Sequence, residues 1–117
     1  MGTWANRLAD YLRQHGPVGA VSFRPGQDRL WGLNWAYWTS ARYVIQLVNG
    51  RPTLTQSGPT RYWVSLAYAR KDAETIAAKE KRLLFPYPPG PLDEKACQLV
   101  LAKLAMREEY HDRLRLP

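Results

Sequence analysis

A chain of 117 residues with 45% apolar residues, five Trp and seven Tyr has the size and hydrophobicity of one packed domain, which excludes a disordered basic tail. One Cys and two His exclude an internal disulfide and a cysteine-based zinc cluster; with no apolar run of ~18 residues and no basic-then-apolar leader, the expected location is the cytoplasm and not a membrane. A net charge of +7 and a pI near 9.9 call for an anionic partner, either nucleic acid or an acidic protein surface.

In chain order, Thr3 caps a first helix running to about His15, with Trp4, Ala5, Leu8, Ala9, Tyr11 and Leu12 as its apolar stripe and Gly16-Pro17 as its stop. Val18 to Phe23 is β-prone, and Arg24-Pro25-Gly26-Gln27-Asp28 has the composition of a turn. Between Leu30 and Ser40, Trp31, Leu33, Trp35 and Tyr37 alternate as in a strand, while Trp31, Trp35 and Trp38 also keep helical spacing. Gly32 and the density of aromatic residues favour the strand, and core packing is the ordinary use of these three Trp.

The strongest local signal is Asn49-Gly50, a two-residue type I′ turn that sets Val48 opposite Arg51 and continues through Leu47 with Pro52, Gln46 with Thr53, Ile45 with Leu54, Val44 with Thr55 and Tyr43 with Gln56. Alternation puts Tyr43, Ile45, Leu47 and Leu54 on one face. Arg42, Gln46, Arg51, Thr53 and Thr55 share the other face with Val44 and Val48. After a turn at Ser57-Gly58-Pro59, Thr60 to Leu66 reads as a third strand with Tyr62, Val64 and Leu66 inward and Arg61, Trp63 and Ser65 outward. Asp72 then caps a helix to about Leu84, whose Ala73, Ile76, Ala77, Leu83 and Leu84 are expected to cover the apolar sheet face.

Phe85 to Pro91 is a proline-rich connector of extended backbone. The final helix, 92–115, has Asp93 and Glu94 in its first turn and a buried stripe of Ala96, Cys97, Val100, Leu101, Leu104 and Ala105. The expected fold is therefore a single α+β domain: a mostly antiparallel sheet of three to five strands with three helices, the 42–84 hairpin, strand and helix unit at its centre.

Charge concentrates on that unit. Residues 42–85 carry eight Lys and Arg against three acids, whereas residues 86–117 carry five against five. With the helix placed behind the sheet, the outer sheet face presents Arg42, Arg51, Arg61 and Trp63, suited to phosphates, guanine edges and base or sugar surfaces. Lys71, Lys79, Lys81 and Arg82 follow as secondary phosphate contacts. This order of elements, with outward Arg42, Arg51, Arg61 and Trp63, resembles the three-stranded-sheet-plus-helix DNA-binding domains of the AP2 and integrase amino-terminal type. The resemblance covers residues 42–84 and implies DNA, favoured over RNA, read from the sheet in the major groove.

The expected function is thus a small, non-enzymatic nucleic-acid-binding protein. The alternative is an accessory or inhibitory protein of phage or mobile-element type that docks on a larger host complex through Arg and Trp anchors. A third reading is a homodimer formed through the exposed sheet face. Neither a cofactor nor a catalytic or metal site is expected: a single Glu-x-x-His pair at Glu108 and His111 is half of a carboxylate-bridged metal motif, and His15 has the ordinary place of a helix C-terminal cation. Phosphate-loop, nucleophile-and-base and metal-ligand spacings are not found.

Overall fold

The computed structural model describes residues 3–27 and 36–115, with side chains over 3–26 and 37–107. Its elements are α1 (Trp4–His15), β1 (Val18–Gln27), β2 (Ala36–Val48), β3 (Arg51–Gln56), β4 (Arg61–Trp63), α2 (Leu66–Glu80), β5 (Leu83–Leu84), β6 (Gly90–Pro91) and α3 (Glu94–Arg115). The strands form one mostly antiparallel sheet in the order β5-β1-β2-β3-β6, with β4 paired to the early part of β2 and β5 parallel to β1. The α+β class and the three helices follow the sequence. The expected strand at 30–40 is present from Ala36 onward as the start of β2, and its Trp31, Leu33 and Trp35 lie outside the described residues. No helix among the described residues is long and apolar enough to cross a membrane.

The hairpin has the register that its turn demands, from Val48 with Arg51 to Tyr43 with Gln56. Asn49 and Gly50 both have positive φ, 51° and 76°, as a type I′ turn requires. Thr3 caps α1, its hydroxyl accepting from the Asn6 N–H at 3.1 Å, and the helix stops at Gly16 with φ 83°. A second cap comes from far along the chain. The Glu94 carboxylate accepts the N–H groups of Trp4 at 2.8 Å and Ala5 at 3.1 Å, so it satisfies orphan donors of α1 as well as standing in the first turn of α3.

Three local expectations are corrected. The turn expected at 24–28 is strand as far as Gln27, because β2 continues alongside to Ala36. Pro25 is tolerated there because β5 pairs only with Ala20 and Val21, leaving the outer edge of β1 unpaired beyond them among the described strands. The third strand is shorter than 60–66: Ser65 leaves it to cap α2 through the Tyr68 N–H, so Leu66 begins the helix. Tyr62 and Val64, expected inward, are 67% and 81% exposed, because the core on that side of the sheet takes no residue from β4. Finally, α2 begins at Leu66, not at an Asp72 cap, and ends at Glu80, after which Lys81 turns left-handed at φ 55°. Leu83 and Leu84 leave the helix to pair with β1.

The largest difference concerns which helix covers which face. The apolar face of β1, β2 and β3, with Ala20, Tyr43, Ile45 and Leu54, packs against Leu8 and Leu12 of α1 and Ala96, Cys97, Val100 and Leu104 of α3. Phe85 of the connector is fully buried in the same core, stacked on Tyr87 at 4.3 Å, while Gly90 and Pro91 form β6 on the edge of β3. With α1 and α3 in place, α2 is excluded from this side. It crosses the opposite face, where Ala73 and Ile76 meet Val21, flanked by Phe23, Ala77 and Leu84.

Candidate nucleic-acid interface

The strands bring Arg42, Arg61 and Trp63 to one side of the sheet, as alternation requires: Ser40 pairs with Arg61, and Trp38 with Trp63. This is the side that α2 crosses. Covering it with so small an apolar cluster leaves the polar side chains to find partners within the protein, and they do so at two acidic residues of α2.

The first is Asp72. Its Oδ2 accepts the hydroxyl of fully buried Ser40 at 2.6 Å, and its Oδ1 accepts Arg61 Nη1 at 2.8 Å. Ser40 Oγ in turn accepts the indole N–H of Trp63 at 2.9 Å. The chain from Trp63 through Ser40 to Asp72 therefore ties β4, β2 and α2 together and sets the orientation of the indole. Asp72 is thus not a helix cap but the acceptor on which the polar side closes.

The second is Glu80. Arg42 Nε lies 2.9 Å from each of its oxygens, Arg42 Nη2 donates to Oε2, and Arg82 Nε donates to Oε1 at 2.9 Å. Hydrogen bonds from Arg42 and then Arg82 hold the Glu80 carboxyl down at about 2, and the same pairing raises the Arg42 guanidinium above its ordinary value. Arg82 also donates to the carbonyls of Tyr43 at 3.0 Å and Ala20 at 3.4 Å. Gly19 makes room for it: a Cβ there would stand 3.2 Å from Arg82 Cγ.

Arg42, Arg61 and Arg82 are consequently ion-paired within the protein, although the Arg61 side chain remains 48% exposed. Arg51 is exposed at the hairpin tip, apart from them. What remains open of that face is the half that α2 does not reach, carrying half-buried Val44, Gln46, Thr53 and Thr55 with exposed Val48. Lys71, Lys79 and Lys81 are exposed and have no ion-pair partner among the described residues. Lys71 and Lys79 lie eight residues apart on the outward side of α2, about 12 Å along its axis. Arg70 is exposed on the other flank of α2 from Lys79, its guanidinium 5.4 Å from the Phe23 ring centre.

Beside this row, Trp63, Tyr68, Lys71, Asp72 and Thr75 line a groove of about 230 Å3. Tyr68 is 59% exposed and lies N-terminal to the Asp72 start expected for α2, in the turn that the helix actually begins with. The signal that reaches it is the buried spacing Ala69, Ala73, Ile76, which extends the helix back to a Ser65 cap. Among the described residues, no three His, Cys, Asp or Glu side chains gather as a metal ion would need. No protein-family model, curated protein or solved structure matches the chain.

Proposed function

We propose that this chain is a small, non-catalytic nucleic-acid-binding protein that holds phosphates on the outer surface of α2. The arginine-bearing sheet face serves to dock that helix. The observation that carries this reading is the contrast in pairing. Arg42, Arg61 and Arg82 are ion-paired with Glu80 and Asp72, whereas Lys71, Lys79 and Lys81 are exposed and make no ion pair among the described residues. A row of unneutralised ammonium groups is suited to displacing the counterions of a polyanion, and it fits the basic excess of this part of the chain.

The test is fluorescence anisotropy with labelled duplex DNA, single-stranded DNA and RNA at two salt concentrations. Replacing Lys71, Lys79 and Lys81 together with Gln should weaken binding to every sequence alike and reduce the slope of log K against log salt by about 2–3, at ~0.7–0.9 per lost phosphate contact. Exchanging Arg51 for Gln should change the slope by less than one such contact. Failure to bind any of the three nucleic acids even at low salt would sink the reading.

A second reading, an accessory protein docked on a larger complex, is favoured by one observation: Tyr62 and Val64 are large, neighbouring and exposed. It predicts an interface dominated by one or two anchors. Val64→Ser would then abolish capture of the partner complex while leaving nucleic-acid anisotropy unchanged.

A further inference from the structure

The groove beside the lysine row has a composition that phosphate binding alone does not require. The Trp63 ring lines it and is held in place from behind, its N–H given to buried Ser40. Its orientation therefore does not depend on a ligand. Tyr68, on the first turn of α2, forms another part of the lining and is 59% exposed, with no partner for its hydroxyl among the described residues. Lys71 stands one turn further on. The one carboxylate in the groove, Asp72, is already occupied by Ser40 and Arg61, so its charge is offset next to an incoming anion. Thr75 donates its hydroxyl to the Lys71 carbonyl at 2.8 Å, which leaves its oxygen free to accept.

The volume of about 230 Å3 is below the ~300–1,000 Å3 of pockets that enclose a drug-sized ligand. It suits one flat ring system whose remainder stays outside. An aromatic lining with an unpaired ammonium beside it is complementary to a base and its phosphate, and stacking on aromatic side chains is sequence-tolerant because every base has a π face.

We propose that this groove is a base-stacking site and that the preferred partner is single-stranded nucleic acid, with one unpaired base against Trp63 and Tyr68 and its phosphate at Lys71. The proposal rests on the reading of α2 as the phosphate-binding surface and adds to it the strandedness of the ligand. In a duplex each base has both faces covered by its neighbours and cannot enter, so duplex DNA meets only the lysine row.

The full-length protein is titrated with a fluorescent oligothymidylate, an abasic oligonucleotide of the same length and charge, and a duplex. The expected result is tightest binding to oligothymidylate, with the abasic strand and the duplex weaker. Tyr68→Ala should lower oligothymidylate affinity about five- to one-hundred-fold, the range of one lost stacked base. Tyr68→Phe, which retains the ring, should bind as wild type does. Should the alanine variant fail to fold, the comparison of thymidylate with abasic strand on the wild-type protein decides alone. Equal affinity for those two strands overturns the stacking site while leaving the phosphate-binding surface standing. Binding to none of the three ligands overturns both. A preference for duplex over oligothymidylate overturns the assignment of strandedness.

Discussion

The two sides of the sheet are covered by different physics. On one side α1 and α3 close over a contiguous apolar core with Leu8, Ile45, Leu54 and Val100 at its centre. On the other, α2 rests on a small cluster of buried apolar residues, Val21, Ala73 and Ile76, and its middle and C-terminal end are held by Asp72 and Glu80 through directional hydrogen bonds. Apolar burial is non-directional, so the first side defines a volume and tolerates some repacking. Hydrogen bonds to charged groups have a required geometry, so the second side defines where α2 lies and what it turns outward. The surface we assign to nucleic acid depends on the second side.

Substitutions should separate the two sides. The largest effect is expected in the apolar core: Ile45→Ala should cost about 2–5 kcal/mol in urea unfolding, the range of truncated buried aliphatic residues. Next, Asp72→Ala should cost about 1–3 kcal/mol, because it leaves the buried Ser40 hydroxyl without its acceptor and frees Arg61. Adding Ser40→Ala to it should cost less than the sum of the two single changes, as expected for groups in direct contact. Additive costs would show that the two residues act independently. A smaller effect of opposite sign is expected at the end of α2, where Lys81 has φ 55°: Lys81→Gly should gain about 1 kcal/mol by removing a side chain from a left-handed position.

The last contrast lies in what each side of the sheet loses at the extremes of pH. Glu80 titrates near 2 in the folded protein against an ordinary 4.5. Its pairing therefore stabilises the fold fully above about 4.5 and is lost as pH falls towards 2. Cys97, buried in the core and near Glu94 and Asp93, is pushed up to about 11 from an ordinary 9.0. The folded state keeps it protonated, so stability is intact below about 9 and declines as pH rises towards 11. Unfolding free energy measured against pH should fall less steeply between about 2 and 4.5 in Glu80→Gln, and less steeply between about 9 and 11 in Cys97→Ala, each variant leaving the other limb as in the wild type.

Much of the fold was legible in the chain. Asn49-Gly50 sets the whole hairpin register, Thr3 and Gly16 bound α1, and the alternation from Tyr43 to Leu54 separates an apolar from a polar face. These are local features, decided by φ preferences, capping and side-chain period within a few residues. The site was legible only in part. Lys71, Lys79 and Lys81, expected as secondary phosphate contacts, are exposed, but Arg82 of the same group is tied to Glu80 and to two carbonyls, and Arg42 and Arg61, expected on an open sheet face, lie on the side that α2 crosses.

Sequence by itself determined which faces are apolar and which polar, where the hairpin turns and that three helices flank a mostly antiparallel sheet. Only the tertiary structure decided which helix took which face, and with it which cations remain free. An apolar stripe records that a helix needs a hydrophobic surface, not which one. Leu8, Leu12, Val100 and Leu104 offer the larger stripes and occupy the larger apolar face, leaving Ala73 and Ile76 to α2 on the other side. The partners of Arg42 and Ser40 lie 38 and 32 residues away in sequence, far beyond the spacing at which side chains on one helix or hairpin meet. Those charges could be matched only once the chain had folded.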